Sequence, residues 1–386
     1  MTAYWARSPF PAAVPLDRID LGHESLGSGG EASAVHRLAP PHGDWVFKRY
    51  VASVPSPQLA GLIAHPENFT AHEIELINRH TAWPVARVEE RPGRSIGVIM
   101  PAAPEQYWTC LQLPRGRKER RLLAVDLLTR EATRQRQLGL PGQTLSDRLA
   151  VCVSIVTVAA LLEHAGLTYL DWSLANVLWS VKDHTAYLID IDGVTFGPRP
   201  QIGTHMFEDP LVPMKAIAGV EVDRYRVALL VAWCLTGTMP DPVRMRAGVN
   251  ALATRPGLTA IAALLNRTLD AARPGERVSL GQLRDALLAA TIRQSSPVKV
   301  RGMDIAQERA TITWRPIVGE RPDPGAVPSR PPVPAPVGSP ILRPTESASA
   351  LARSPGRGTR TLPVLAICIA LGLMLLIILF ISQLSG

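Results

Sequence analysis

At 386 residues, with 46% hydrophobic and 19% charged side chains, the chain is long enough for a two-lobed globular domain with further segments. Its net charge of +8 is unevenly placed, because residues 291–360 carry eleven Lys/Arg against five Asp/Glu and the remainder is close to neutral, which argues against nucleic-acid binding by the folded part. The four cysteines, Cys110, Cys152, Cys234 and Cys368, show no Cys-x-x-Cys spacing, so neither a disulfide scaffold nor a thiolate metal site is expected.

The first sixteen residues have no basic segment leading into an apolar run, so no signal peptide is expected. Periodic apolar patterns then run over residues 16–292 and mark the folded zone. Near its start stands Leu26-Gly27-Ser28-Gly29-Gly30-Glu31-Ala32. Two glycines one residue apart let backbone N–H groups approach a phosphate without a Cβ in the way. The β-type segment Trp45-Val46-Phe47-Lys48-Arg49-Tyr50 follows, with a lysine among apolar neighbours. A glycine loop, a hairpin and then a strand lysine is a layout that places an ammonium on the phosphates of ATP. Residues 71–79 read as a helix that carries Glu73 and Glu75; alternatively residues 58–64 are the helix, which then carries no Glu.

The basic stretch Arg115-Gly116-Arg117-Lys118-Glu119-Arg120-Arg121 reads either as a solvated helix start with internal Glu pairing or as a contact for anionic lipid. An apolar helical run over 149–162 precedes the most informative part of the chain. There Asp171 is followed by Asn176, and fourteen residues later by Asp190-Ile191-Asp192-Gly193. Phosphoryl transfer needs such a set: one carboxylate to hold an attacking hydroxyl, and an amide with a second carboxylate to hold magnesium on the phosphates. His164, His184 and His205 are not spaced as a metal set.

Past the folded zone, residues 293–320 form an extension of uncertain structure. Residues 321–361 follow as a linker; nine prolines fall within residues 321–344, which predicts an extended, partly polyproline tether, open to partners that read such helices. Residues 362–384 are expected to form a transmembrane helix. Within them, residues 362–381 are twenty positions without a charge, enough at ~1.5 Å per residue to cross the ~30 Å hydrocarbon core. Arg353, Arg357 and Arg360 precede this span, and only a few polar residues such as Gln383 and Ser385 follow it. The positive-inside bias then predicts a single-pass C-terminal anchor in the cell membrane with the N-terminal domain in the cytoplasm. No outside sensor domain is expected beyond it.

Taken together, these segments resemble the protein kinase superfamily, in particular bacterial Ser/Thr kinase-like proteins, over roughly residues 20–290. The stretch from Leu26 to Ala32 is similar to the family's glycine loop, with Ala32 in place of its third glycine, and Val46-Phe47-Lys48 to its lysine strand. Asp171 to Asn176 is similar to the catalytic loop and Asp190 to the first residue of the DFG triplet. The segment Gly203-Thr204-His205-Met206-Phe207-Glu208-Asp209-Pro210 resembles the stretch that seats the acceptor hydroxyl. Asp223-Arg224-Tyr225 resembles the start of the buried helix whose Asp holds the catalytic-loop backbone. Arg273-Pro274-Gly275-Glu276-Arg277 resembles the closing motif with its Arg.

The resemblance implies an α+β, bilobal kinase-like fold over 16–292, with a β-rich N-lobe to about Met100 and a helical C-lobe after it. It implies ATP and Mg²⁺ as ligands. Gly27, Gly29, Gly30 and Lys48 would hold phosphates, backbone groups from Met100 to Ala102 would meet the adenine, and Glu73 would pair with Lys48. Asp171 would be the base, and Asn176 and Asp190 the metal ligands. Thr204 would lie against a protein acceptor, and Asp223 and Arg277 would be structural. Besides Ala32, further positions depart from the family pattern. Tyr169 and Leu170 replace its His and Arg, Ser173 replaces a Lys beside the transferred group, and Leu211 stands where its Glu would be. The missing Arg removes the partner of an activation-loop phosphate, so no such switch is expected. Glu208 or Asp209 is left to pair with Arg277, and Asp192 either to bind magnesium or to cap a turn. Two functions remain open: a membrane-anchored, ATP-dependent Ser/Thr protein kinase facing the cytoplasm, or a nucleotide-binding pseudokinase serving as a tethered docking module.

Overall fold

A computed structural model describes residues 5–29, 32–201, 206–238 and 241–294. Gly30, Thr204 and residues 295–386, and with them the linker and the expected membrane span, lie outside the described residues.

The first part is a six-stranded sheet. In chain order its strands are β1 (Ala13–Pro15), β2 (Leu21–Gly29), β3 (Ala32–Leu38), β4 (Trp45–Pro55), β5 (Ala86–Arg91) and β6 (Arg94–Pro101). They lie in the order β1-β5-β6-β4-β3-β2. Only β1 pairs in parallel, with β5. Strand β4 is central and buried on both faces in its first four residues, Trp45 to Lys48; beyond them it is exposed or half-buried, and it pairs with β6 again at Val54 and Pro55. Two helices interrupt the sheet between β4 and β5. Helix α1 (Ser56–Ala64) starts directly from β4, with a proline in its first turn, where no amide hydrogen is needed. Helix α2 (Ala71–His80) opens on a capping box: the Thr70 side chain accepts from the Glu73 amide, and Glu73 accepts from the Thr70 amide. Both stretches that read as helix are therefore helical.

The basic stretch is a strand and not a helix start. It forms β8 (Lys118–Leu122), antiparallel to β7 (Trp108–Gln112). Arg115 and Gly116, both at positive φ, make the turn. Arg117 meets Glu119 at 3.3 Å, and Arg120 meets Glu105 at 2.7 Å while lying 4.4 Å from the Trp108 ring centre. Residues two apart share a face on a strand and do not on a helix, so these contacts need the extended form. The expected Glu pairing is present in this different geometry.

The second part is helical. Its first helices are α3 (Ala132–Gln137) and α4 (Leu145–His164). In α4 every residue over 151–162 is buried, as a helix apolar on all faces must be. Among the described residues it is the one helix long and apolar enough to cross a membrane, but it is packed inside the fold. Short pairs follow: β9 (Leu167–Thr168) with β12 (Thr195–Phe196), β10 (Val177–Trp179) with β11 (Ala186–Leu188), and β13 (Arg199–Pro200) with β14 (Ile217–Ala218). Helix α5 (Val220–Thr236) is buried throughout 226–235 and lies against α4. Helices α6 (Pro242–Ala253), α7 (Thr259–Leu269) and α8 (Leu280–Gln294) complete the part. The β-rich first part and helical second part expected from the sequence are both present.

The largest core cluster is built around α4 and α5. A second lies on one face of the sheet and includes Trp45, Phe47, Val88 and Ile99. The third joins the two parts. It brings Val46, Val98 and Met100 of the sheet together with Leu178 and Tyr187 of the β10–β11 pair. Residues alternate faces along β4, so Phe47 serves the second cluster while Val46 and Lys48 face the junction.

Candidate active site

Lys48 lies in β4 opposite Val35 of β3 and Val98 of β6. Its position depends on Gly97, because a Cβ there would stand 2.2 Å from the Lys48 carbonyl oxygen. The Lys48 ammonium is buried, 2.9 Å from Asp192 Oδ1 and 3.3 Å from Asp190 Oδ1. Tyr50, on the same face of the strand, donates its hydroxyl to Asp192 Oδ2 at 2.9 Å. Burial acts to lower the Lys48 pKa, but Asp192 and then Asp190 outweigh it and the value ends above normal. The group is therefore an ammonium at neutral pH.

Glu73 is not its partner. Glu73 closes the α2 capping box, 2.7 Å from the Thr70 amide and 2.8 Å from the Thr70 hydroxyl, in an exposed position. An N-cap at Thr70 fixes Glu73 as its third helical residue, so the carboxylate turns back to the helix start and away from the sheet. Glu75 pairs with Arg79 at 2.6 Å. Helix α1 carries no acidic residue.

The loop bearing Asp171 is fixed from below. Asp223, buried near the start of α5, accepts the Tyr169 and Leu170 amides on its two oxygens, both at 2.8 Å. Arg199 donates to the Tyr169 carbonyl at 2.5 Å, and Arg226 donates to the Leu170 carbonyl. Burial pushes the Asp223 pKa up to about 6, against the two amides and the Arg226 and Arg199 charges, which act to lower it. Tyr169, fully buried, donates its hydroxyl to the Ile189 carbonyl at 2.9 Å and so ties this loop to the residue before Asp190. Leu170 is buried with Ala218 and Val222, and Val212 packs against them.

Asn176 and Asp171 are held together. The Asn176 side-chain nitrogen donates to Asp171 Oδ2 at 2.8 Å and to the Asp171 carbonyl at 2.9 Å. The Asn176 side-chain oxygen is then the atom left to meet a cation. Ser173 accepts the Asn176 amide at 3.3 Å, so its hydroxyl closes the turn between them. Asp190 sits in the left-handed region at φ 60°, and the turn Ile191–Gly193 follows. The αL residue and the tight turn send Asp190 and Asp192 toward Lys48, while Ile191 is buried in the large core cluster.

Magnesium is suited by hard oxygen ligands, usually one or two carboxylates with the rest from phosphate and water. The residues present fit that need. Two carboxylates face one ammonium, leaving a negative balance, and the Asp190 side chain is 41% exposed. Among the described residues no group of three His, Cys, Asp or Glu is placed to hold a metal alone, which such a shared site does not require.

Around this polar centre, Leu26, Val35, Val46, Met100, Ala102, Leu178 and Ile189 belong to one apolar cluster drawn from both parts of the fold. It supplies the apolar surface that a purine face would need. Gly27 has φ 149°, with open space where a Cβ would point, and Gly29 pairs with Ala32 at the end of the hairpin. Ala102 differs from expectation. Its amide donates to the Asp44 carbonyl at 2.9 Å, because the β4–β6 ladder continues one pair beyond Pro101. That amide is not directed at a ligand.

Further out, Arg277 meets Asp209 through two hydrogen bonds, at 2.5 and 2.7 Å, with both side chains inaccessible to solvent. Asp209, and not Glu208, is thus the partner of Arg277, and it also accepts the Leu211 amide at 2.9 Å. The sequence argument missed Asp192 as the lysine's partner, along with Tyr50, Arg199 and Arg226. One signal was present: Tyr50 stands two residues from Lys48 on a strand and must share its face. The two arginines act on backbone carbonyls, for which no residue type is diagnostic.

No protein-family model and no curated protein matches the chain. Among solved structures, it is similar to a ROP18 kinase domain in complex with AMP-PNP and sucrose, at 16% identity and TM-score 0.47, over 70% of this chain and 78% of that one. It is also similar to a rhoptry kinase from Toxoplasma gondii, at 13% identity and TM-score 0.44, over 70% and 80%. Likeness of this size decides nothing about the site, which stands on its own residues.

Proposed function

We propose that this protein is an ATP-dependent serine/threonine protein kinase held to the cell membrane by its C-terminal apolar span, with the N-terminal domain in the cytoplasm. The observation that carries the reading is the pairing of two units. A buried ammonium faces Asp190 and Asp192, and a loop fixed by Asp223 holds Asp171 against Asn176. In this reading Lys48 binds the nucleotide phosphates. Asp190 and the Asn176 oxygen hold Mg²⁺, which when bound neutralises charge on the phosphates. Asp171 orients the acceptor hydroxyl and accepts its proton. The Asn176 amide keeps Asp171 in place. The apolar cluster of Val46, Met100 and Leu178 excludes water beside the purine.

The tethered location is read from the uncharged run at 362–381 and the arginines before it. A protein acceptor is read from the Thr204 segment. Incorporation of label from γ-labelled ATP and Mg²⁺ by the full-length chain, compared with Asp171→Ala, tests the activity. Equal label in both removes the enzyme reading.

A second reading, a nucleotide-binding pseudokinase that docks partners at the membrane, has one observation in its favour. Ser173 closes its own turn at the place where the family has a lysine beside the transferred group. A MgATP-dependent thermal shift that Asp190→Ala abolishes, without label transfer by wild type, selects this reading.

A further inference from the structure

We propose that Asp192, braced by Tyr50, is the residue that positions the Lys48 ammonium, so that the lysine is set by the same turn that carries Asp190 and not by a helix carboxylate. The inference rests on the nucleotide-site reading above and assigns a role within it.

The two acidic residues that face Lys48 are in different states. The Asp192 side chain is 4% exposed and has a partner on each oxygen, Lys48 at 2.9 Å and the Tyr50 hydroxyl at 2.9 Å. The Asp190 side chain is 41% exposed and stands further from the ammonium, at 3.3 Å. A buried carboxylate with both oxygens bonded is fixed in direction, and charge-assisted bonds of this kind are the stronger ones. The more exposed carboxylate, at longer range, stands on the solvent side, where a cation would approach. The geometry therefore divides the work, with Asp192 for the lysine and Asp190 for the metal.

Among the described residues, neither α1 nor α2 offers the lysine a carboxylate. Glu73 closes a capping box, Glu75 pairs with Arg79, and α1 has no acidic residue. The side of α1 nearest the site presents Gln58 and Leu59 to a cavity of about 550 Å³, whose other walls include Tyr50, Asp192 and Arg199. A neutral amide and open space thus stand between α1 and the lysine's partner. Because Asp190 and Asp192 flank one buried residue, Ile191, in a single 3₁₀ turn, displacing either moves the other. The grip on phosphate is then coupled to the metal ligand through three residues of chain. Movement of α1 or α2 does not break the lysine's ion pair.

The test is a double-mutant cycle on nucleotide affinity in the full-length protein, with MgADP as the probe. Asp192→Asn is near-isosteric and is expected to weaken MgADP binding at least tenfold. In a Lys48→Met background the same change is expected to matter less than twofold, because a positioning residue acts only through the group it positions. Tyr50→Phe removes a single hydroxyl and is expected to give a smaller loss, likewise absent beside Lys48→Met; it carries the test if Asp192→Asn fails to fold. The inference is overturned if Asp192→Asn binds within twofold of wild type. It is equally overturned if the tenfold loss persists beside Lys48→Met, since that marks a purely structural carboxylate. If wild type itself binds no MgADP, the nucleotide reading fails first and the inference falls with it, a result that wild type alone reveals.

Discussion

Replacing Arg277 by Met is expected to destabilise the folded part by about 4 kcal/mol, in the range for breaking one side of a buried ion pair. The two side chains are 1% and 0% exposed and share two short hydrogen bonds. Arg277 also donates to the Glu221 carbonyl at 2.8 Å and lies 4.9 Å from the Tyr225 ring centre. Methionine fills much of the arginine volume, so the main loss is not a cavity. It is the Asp209 carboxylate, left in a site without water and with only the Leu211 amide as a described donor. The converse change, Asp209→Leu, is expected to cost less, because Arg277 keeps the Glu221 carbonyl and the aromatic face. The double variant Arg277→Met/Asp209→Leu removes both charges and is expected to recover about 1–4 kcal/mol relative to Arg277→Met alone.

Chemical denaturation followed by tryptophan fluorescence measures all three. Trp233 is a built-in reporter, since it stacks on Phe207, two residues from Asp209, at 6.1 Å. MgADP binding by the double variant should stay near wild type, because Lys48 and Asp192 lie on other elements. A loss below about 1 kcal/mol for Arg277→Met would refute the reasoning, since that is the size of an exposed pair. A double variant no more stable than Arg277→Met would refute it too.

Gly97→Ala should cost at least about 2 kcal/mol, as overpacked sites do, and should weaken MgADP binding as well, because the added carbon meets the Lys48 carbonyl at 2.2 Å; unchanged affinity by titration calorimetry would contradict the placement of Lys48. For Asp223 the folded-state pKa of about 6 lies above its ordinary 3.8, so the folded protein holds the proton more tightly than the unfolded chain. The stability contributed by that proton is fully present below about pH 4 and is lost as pH rises through about 6, roughly 3 kcal/mol in all; across this window wild type should lose stability relative to Asp223→Asn, which does not titrate there, in denaturation measurements, and a wild type that gains on the variant as pH rises would reverse the sign. Tyr169→Phe removes one buried hydrogen bond to the Ile189 carbonyl and should cost about 1–2 kcal/mol by thermal denaturation, leaving an unpaired carbonyl next to Asp190.

What the sequence made legible was whatever is encoded in short spacing. Asp171 and Asn176 are five residues apart in one loop, and a loop that short must bring them within reach. Asp223 opens a helix with a sustained apolar run, and Lys48 sits in a short β-type segment with apolar neighbours. Each of these needs only local pattern to be placed. The lysine's partner was not legible, because Lys48 and Asp192 are 144 residues apart. Their contact depends on the left-handed conformation of Asp190 and the tight turn after it, and no residue type announces either. Glu73 looked suitable as a helix carboxylate, but the Thr70-x-x-Glu73 spacing is itself a capping signal and takes precedence locally. The basic stretch at 115–121 reads as a solvated helix start or a lipid contact for a related reason. It lacks apolar periodicity, so its strand form is decided by a turn and by Trp108 on the neighbouring strand.

The departures at Tyr169 and Leu170 take on a different meaning in the structure. The four backbone polar groups of this dipeptide all have charged partners: both amides reach Asp223, the Tyr169 carbonyl reaches Arg199 and the Leu170 carbonyl reaches Arg226. Leu170 is held at φ 56°, a conformation costing a non-glycine residue about 1–2 kcal/mol. Charge-assisted bonds on every side offset that strain and leave the dipeptide one conformation. A kinase loop that waits for a phosphate needs an arginine facing the activation segment. Here that position is a leucine packed on Val222, and the arginines present hold the loop from beneath. The Asp171 loop is therefore held in one shape by partners within the fold. In the proposed kinase reading, control would then act on nucleotide, on the Asp190–Asp192 turn or on access of the acceptor.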